Sequence, residues 1–373
     1  MPIGYSNKSG GVFNPLRDDL GKAKDMTLAT LSSIDSGLPF GDFRALIERL
    51  PPLDERAAAR VRDDFGRIEK PKNSLGRIEK VAAWLAASTG RPPAVLRPVV
   101  AIFAGNHGIA RHGISPRPVE ATQRFVELAA AGGAGVNQVC AAHGLGLKLY
   151  DLALDLPTAD FTTDAALDER GCAATMAFGI EAVTDGVDLI ALASISVGGS
   201  TAAAAISAAI FGGSGADWVG AGSGADPAMI GRKAETVDHA LALHSGHLED
   251  PLEVLRRLGG REFAAIAGTI IAARTQVAVL LEGFAATAAA AVLHRANPAA
   301  LDHCLLTYVA ATEPVHRRLA EKVGLTPLFD LGMGEGEGTG AALAAGTVKA
   351  AALIHSGMLA ANTVEVAQME QTR

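Results

Sequence analysis

Three segments rich in glycine and small hydroxyl residues follow short apolar runs of the sequence. They are residues 194–201, 220–224 and 332–340. Glycines allow a ligand to approach the backbone closely, and the N–H groups at the start of a helix bind phosphate oxygens. Any single segment of this kind is more often an ordinary tight turn. The three together predict a binding site for a phosphorylated ligand.

None of the three segments carries a specific nucleotide-binding fingerprint. The sequence has no G-x-x-x-x-G-K-[ST] motif. The third segment begins like G-x-G-x-x-G, but Gly340 falls one position late for that pattern. The side chains of Glu335 and Glu337 would also repel a pyrophosphate. The sequence therefore argues against dinucleotide binding.

The charged residues near these segments are the candidates for acid–base chemistry and phosphate binding. A carboxylate beside an apolar cleft can act as a general base, because partial burial raises its pKa toward the working pH. Glu335 and Glu337 are either such groups or solvated loop acids, and both interpretations stay open. Lys233, in the helix predicted after the second segment, is either a point charge for a phosphate or a solvated lysine.

Residues for metal or nucleophilic chemistry are not arranged for it. The ten histidines give no ligand spacing with a third partner, and no serine stands in a G-x-S-x-G motif. The three cysteines lie far apart in the sequence. We therefore expect neither a metal ion nor a cofactor.

The composition narrows the class of protein. A length of 373 residues suggests two domains, or one large domain with an appendage. A formal net charge of −7 with 5% aromatic residues does not suit a nucleic-acid-binding protein. Widely spaced cysteines are typical of a reducing compartment, and neither a signal peptide nor a run of about 20 strongly apolar residues is recognisable. We expect a cytoplasmic protein with small-molecule substrates, and no binding to nucleic acid or membrane.

Short apolar runs alternate with helical segments, which predicts an α/β fold. The run at 99–104 is continuous and rich in β-branched residues, as in strands buried on both faces. Further strands are predicted at 147–152, 188–193, 217–220, 277–281 and 305–309. The alternation predicts a doubly wound, mostly parallel sheet. Helices without neighbouring strands near both chain ends predict a small helical subdomain.

The same patterns divide the chain into three parts. Residues 1–35 are expected to form a flexible tail, with Met26 as an alternative start. Residues 36–95 are expected to form helices that pack with part of 340–373. Residues 96–340 are expected to form the α/β domain.

Several motifs stand in collinear order over about residues 37–365. They are K-P-K-N-S-L-G-R at 70–77, A-G-N-H-G at 104–108, G-I-S at 113–115, G-G-A-G-V-N at 132–137, G-F-A-A-T-A at 283–288, E-P-V-H at 313–316 and G-E-G-T-G-A-A at 336–342. These motifs resemble those of the nicotinate-nucleotide–dimethylbenzimidazole phosphoribosyltransferase family.

The resemblance implies a homodimer and a metal-independent reaction. In that reaction the phosphoribosyl group of nicotinate mononucleotide passes to 5,6-dimethylbenzimidazole or a related base, in assembly of the cobalamin lower ligand. The products are α-ribazole 5′-phosphate and nicotinate.

The resemblance also implies roles for individual residues. Glu337 is the general base, Ser115 and Gln123 lie near the acceptor base, and Gly222 and Lys233 hold the phosphate. The loop at Gly198 closes around the ribose. The other implied substrate-binding residues are Ser194, Ser196, Gly199, Ser223, Glu313, Gly336 and Gly338.

Some positions depart from the family pattern, and most of them fall in loops expected to face the ligand. Ser194 stands where the family has its second acid, Gly199 where it has an asparagine, and Arg117 where it has an aromatic residue. Ala311 replaces a serine, and Gly334-Glu335 replaces an Arg-Leu pair. These changes leave two alternatives open. One is the same fold acting on a different aromatic acceptor, and the other is a pseudoenzyme that binds a nucleotide.

Overall fold

The computed structural model describes residues 39–184 and 186–371, so the tail expected at 1–35 lies outside the described residues. The helices and strands in chain order are α1 (Gly41–Glu48), α2 (Glu55–Arg67), α3 (Arg77–Thr89), β1 (Pro98–Asn106), α4 (Glu120–Ala130), α5 (Gly135–His143), β2 (Gly146–Asp151), α6 (Glu169–Ile180), β3 (Leu189–Val197), α7 (Gly199–Phe211), α8 (Pro227–His244), α9 (Pro251–Leu258), α10 (Arg261–Ala273), β4 (Ala278–Leu281), α11 (Gly283–Ala296), β5 (Cys304–Leu306), α12 (Pro314–Lys322) and α13 (Thr339–Gln371). Short 3₁₀ helices join some of them.

Within the described residues, the five strands form one parallel sheet in the order β2-β1-β3-β4-β5. The predicted doubly wound α/β fold is therefore confirmed. The chain builds the sheet outward from β1 first to β2 and then, in the opposite direction, to β3. In open sheets of this kind, ligands bind at the carboxyl ends of the strands where the order reverses. The site is therefore expected beyond the ends of β1 and β3.

Helices cover both faces of the sheet, which explains why the strands read as continuous apolar runs. Along β1, Ala101 and Phe103 join the hydrophobic core on one face, while Val100 and Ile102 join the core on the other. Because successive side chains of a strand alternate between faces, both sets must be apolar when both faces are buried.

Two sequence predictions about the strands are corrected. The strand predicted at 217–220 is absent, and a 3₁₀ turn, Gly215–Asp217, leads instead into Trp218. Trp218 is fully buried and its indole N–H donates to the carbonyl of Gly212 at 2.8 Å, so its apolar character reflects packing rather than pairing. In addition, β3 continues to Val197, because its pairing with β1 extends as far as Asn106. Residues 194–197 are therefore strand rather than loop.

Helices α2, α3 and α13 pack together on one face of the sheet, whereas α1, expected to pack with them, belongs through Phe43 and Ile47 to the core on the other face. Phe65 of α2, Leu85 of α3 and Val348 of α13 belong to the same buried cluster. We propose that these helices form the small helical subdomain, although they share that cluster with residues of the sheet.

The last helix has a composition that also suits a membrane. Its segment Thr339–Leu359 is long enough to cross a bilayer and has a mean hydropathy of 1.3. However, Ala341, Ala345 and Val348 are fully buried within the protein. Apolar helices buried in a globular core meet the same criterion of length and hydropathy.

Candidate active site

A cleft at the carboxyl ends of β1 and β3 brings together residues that are distant in the sequence. It is lined by residues 114–117, 196–198, Ser200, Thr201, Ala221, Ser223, Lys233 and Glu335. The enclosed volume is about 40 Å³. Sites for small molecules have volumes of roughly 300–1,000 Å³. Side chains at the mouth of this cleft must therefore move before a mononucleotide can enter.

A larger cavity, of about 910 Å³, lies elsewhere, between α2, α3 and the end of α10. Leu53, Ala58, Trp84 and Arg274 form part of its wall. None of the site residues predicted from the sequence lines it. We therefore place the functional site in the smaller cleft, where the predicted residues and several titratable groups converge.

Lys233 forms the positively charged corner of the cleft. It lies on α8, which begins with Pro227 after the capping carboxylate of Asp226. Its side-chain Nζ donates to the carbonyl of Gly220 at 2.5 Å and to Ser200 Oγ at 3.1 Å. The residue is only 1% exposed. This lysine is therefore fixed in place, and the interpretation of Lys233 as a solvated helix residue is wrong.

Glu313 is the buried partner of this lysine, with Oε1 3.6 Å from Nζ. Burial lowers the pKa of Lys233, against the opposing charge of Glu313. Burial also raises the pKa of Glu313, and Lys233 opposes that change. Gly222 has φ +52°, and a Cβ there would lie 3.2 Å from Glu313 Oε1. The glycine therefore lets the backbone pass close to the ion pair.

The loop between α12 and α13 brings two carboxylates to the mouth of the cleft. Glu337 has φ +49°, a left-handed conformation that is uncommon for residues other than glycine. Its Oε1 accepts a hydrogen bond from Arg117 Nη1 at 3.3 Å. Glu335 lines the cleft itself. Although Glu335 is exposed, desolvation raises its pKa, while Arg117 acts to lower it. Glu335 therefore lies in the cleft, and Glu337 lies at its edge, bound to Arg117.

Glu282 is a functional candidate that the sequence analysis missed. It follows β4, is 4% exposed, and accepts backbone hydrogen bonds from Gly338 at 2.9 Å and from Ala341. The hydroxyl of Tyr308 donates to it at 3.4 Å. Burial raises the pKa of Glu282 to about 7, against the effect of these hydrogen bonds. An acidic residue directly after the predicted strand at 277–281 is the signal that could have revealed it.

The loop that carries Glu337 packs closely around the buried carboxylate of Glu282. A Cβ at Gly336 would overlap both the Glu282 carboxylate and the Tyr308 hydroxyl. Glycine at 336 therefore allows the loop to close over Glu282, which leaves the next side chain, Glu337, pointing toward Arg117.

A second buried pair supports the floor of the cleft. His107 Nε2 lies 2.6 Å from Glu262 Oε1, and both side chains are fully buried. Burial acts to raise the pKa of Glu262, but the charge and hydrogen bond of His107, together with Ser196, bring it below its usual value. A Cβ at Gly198 would lie 3.0 Å from His107 Cβ. The His107–Glu262 pair therefore packs directly against the turn at Gly198, after β3.

The structure brings most of the predicted site residues together. Those that line the cleft are Ser115, Ser196, Gly198, Ser223 and Lys233. Gly199, Gly222 and Glu313 lie next to these lining residues. Glu337 contacts the lining residue Arg117. Gly336 and Gly338 pack around the buried carboxylate of Glu282.

Two predicted residues neither line the cleft nor contact the residues around it that are described above. Gln123 is exposed on α4 and donates to Glu127 Oε1 at 3.0 Å. Ser194 lies two residues before Ser196 on β3, further from the strand end. Their contact with substrate stays a prediction. In the part of the chain that the structure describes, no group of three or more His, Cys, Asp or Glu side chains is placed to hold a metal ion.

The sequence and the fold have counterparts among known proteins. A family model described as "Phosphoribosyltransferase" matches residues 50–366. The nicotinate-nucleotide–dimethylbenzimidazole phosphoribosyltransferase of Rhizobium etli is 60% identical over 324 residues, which cover 87% of this chain and 96% of the relative. The protein of the same name from Sinorhizobium medicae is 58% identical over the same share of both chains.

Solved structures give the same result. A crystal structure of the enzyme of that name from Thermus thermophilus superposes with a TM-score of 0.74 at 32% identity, covering 82% of this chain and 96% of the other. A second structure from the same organism, titled CobT, gives a TM-score of 0.75 at 33% identity, covering 81% and 96%.

Proposed function

The chain belongs to the nicotinate-nucleotide–dimethylbenzimidazole phosphoribosyltransferase family, and from this premise we propose that it transfers the phosphoribosyl group of nicotinate mononucleotide to 5,6-dimethylbenzimidazole or a related base. The products are nicotinate and α-ribazole 5′-phosphate, the nucleotide of the cobalamin lower ligand. The observation that carries the proposal is one cleft where the strand order reverses, lined by the buried Lys233 and by Arg117, which binds the Glu337 carboxylate.

The bond changes require little beyond alignment and one proton acceptor. The acceptor nitrogen attacks C1′ of the ribose from the face opposite the leaving ring, so that the anomeric carbon is inverted. The glycosidic bond breaks, and its electron pair neutralises the pyridinium nitrogen of the departing nicotinate. Glu337 takes the proton that the acceptor nitrogen loses. No acid is needed at the leaving group, because departure removes a positive charge.

The remaining residues position the donor. In the proposed arrangement Lys233 and the segment at Gly222 and Ser223 hold the phosphate, and the turn at Gly198 and Gly199 closes on the ribose. Ser115, Gln123, Ser194 and Ser196 are assigned to the base-binding side. Glu313 sets the charge of the phosphate corner through Lys233, while Gly336 and Gly338 shape the loop of the general base.

Glu335 supports an active enzyme in spite of the departures from the family pattern. Ser194 stands where the family has its second acid, whereas Glu335 brings a carboxylate into the cleft from another loop. We also propose that the protein is a cytoplasmic homodimer that acts on small molecules without a cofactor and binds neither nucleic acid nor membrane.

The test is to incubate purified protein with nicotinate mononucleotide and a panel of aromatic bases. We expect free nicotinate and the ribosylated base in equal amounts, with 5,6-dimethylbenzimidazole among the accepted bases. Turnover with another base alone would identify a different acceptor. Binding of the donor without any product would instead identify a pseudoenzyme.

Glu337→Gln tests the general base. Because a positioned base typically contributes about 10²-fold or more, kcat should fall by about that factor. Glu321→Gln, at an exposed position on α12, is the matched control and should keep normal turnover. Near-normal turnover of Glu337→Gln would remove this residue from the proposed role.

A further inference from the structure

Arg117 stands at the mouth of the cleft on a rigid segment. Pro116 and Pro118 flank it, and each proline restricts the backbone on its own side. The backbone N–H of Arg117 donates to Ser115 Oγ at 3.1 Å. The guanidinium is thus presented from a fixed point, while the side chain, at 51% exposed, stays free to turn.

Two cationic side chains line the cleft, and they differ in burial and in their partners. Among the described residues that line it, Arg117 and Lys233 carry the positive charge. Lys233 is buried and engaged with Gly220, Ser200 and Glu313. Arg117 is paired with Glu337, and that pair is partly exposed on both sides. Exposed pairs contribute little stability, so an incoming anion can replace Glu337 at low cost.

The proposed donor carries two anionic groups at its two ends, and this step rests on the proposed function. Nicotinate mononucleotide has a phosphate on the ribose and a carboxylate on the pyridinium ring. A compact ammonium group suits the phosphate as a point charge. A planar guanidinium matches a carboxylate with two parallel hydrogen bonds. The two cations and the two anions therefore have complementary chemistry.

We propose that Arg117 binds the carboxylate of the nicotinate ring and, in doing so, releases Glu337 to accept the proton of the acceptor base. Donor binding thereby exchanges one carboxylate partner of the arginine for another. Because Arg117 lines the 40 Å³ cleft, this exchange also changes the shape of the cleft when the donor binds. Arg117 is then a specificity residue for the donor, and the free carboxylate of Glu337 becomes available only when a donor is bound.

The first experiment compares nicotinate mononucleotide with nicotinamide mononucleotide, which carries an uncharged carboxamide in place of the carboxylate. Arg117→Met should raise KM for the nicotinate donor by about 10- to 100-fold, the worth of a hydrogen-bonded charge, and change KM for the nicotinamide donor little. Arg117→Lys keeps the charge but loses the planar guanidinium, so its KM for the nicotinate donor should lie between those of Arg117→Met and the unchanged protein. Arg124→Met removes an exposed arginine outside the cleft lining and should match the unchanged protein with both donors.

The second experiment measures donor binding by calorimetry without an acceptor base, so that no turnover occurs. If Glu337 competes with the donor for Arg117, Glu337→Gln should lower the Kd of nicotinate mononucleotide, by up to about 5-fold. The gain should vanish in the Arg117→Met background.

The outcomes separate the two proposals. An unchanged donor preference in Arg117→Met, or equal weakening with both donors, overturns the assignment of Arg117. Turnover by the unchanged protein sustains the proposed function in that case. No product from the unchanged protein with any donor defeats the proposed function, whereas the calorimetric comparison still decides whether Arg117 recognises the carboxylate.

Discussion

Glu282→Gln removes the ionisable group beneath the loop of the general base while keeping its shape. A glutamine has the geometry of a protonated glutamate, with one oxygen that accepts and one group that donates. The carboxylate form instead accepts from both Gly338 and Ala341. The substitution therefore tests whether Glu282 changes its protonation state within the folded protein.

The expected magnitude follows from the pKa of Glu282. Burial raises this pKa from an ordinary 4.5 to about 7. Between these pH values the folded protein keeps a proton that the unfolded chain has released. Raising the pH therefore favours unfolding, and the free energy of unfolding should fall by about 3 kcal/mol across the interval through this group alone. The free energy of unfolding of Glu282→Gln does not fall through this group, because glutamine does not ionise. Its stability relative to the unchanged protein should therefore rise with pH.

Urea unfolding at intervals between about pH 4 and pH 8 measures the effect. The difference in free energy of unfolding between Glu282→Gln and the unchanged protein should grow by about 3 kcal/mol toward the upper end. Glu321→Gln, an exposed control, should give a curve parallel to that of the unchanged protein. A parallel curve for Glu282→Gln would refute the reasoning, since Glu282 would then titrate alike in both states.

The same variant links the buried carboxylate to catalysis. Above pH 7 the unchanged protein makes both backbone hydrogen bonds, whereas the glutamine can accept only one of them. The loop that carries Glu337 should loosen, and kcat should fall by about tenfold or more, which corresponds to one lost charge-assisted hydrogen bond. The loss should shrink below pH 7, where Glu282 is itself protonated. A loss of the same size at all pH values would point to a packing defect instead.

Two further substitutions test the buried ion pairs. Lys233→Met should destabilise the protein by about 3–5 kcal/mol, because the Glu313 carboxylate is left buried without its cation. Adding Glu313→Gln should restore stability in urea unfolding but not the affinity for the donor. Full recovery of affinity in the double variant would contradict a phosphate role for Lys233. Glu262→Gln should cost a similar amount, about 3 kcal/mol or more, by removing the charged partner of His107; an unchanged thermal midpoint would show that this pair contributes no stability.

The pattern of apolar residues and glycines is enough to predict the fold class and the loop of the general base. The strands are continuous apolar runs because helices bury both faces of the sheet, so that neither face tolerates polar side chains. The segment around Glu337 is recognisable because its glycines are required by local backbone geometry. Gly338 has φ +88°, and Gly336 has no room for a Cβ.

Which side chains meet, and which are buried, depends on contacts that form only when the chain folds. Arg117 and Glu337 are 220 residues apart in the sequence, and Glu282 lies 56 residues before the amide that it binds. Periodicity reports which face of an element is apolar, but it carries no information on contacts between distant loops. The strand predicted at 217–220 failed for the same reason, since the apolar character of Trp218 serves a buried turn. Burial also sets the pKa of Glu282 and of Lys233, and burial exists only after the chain has folded.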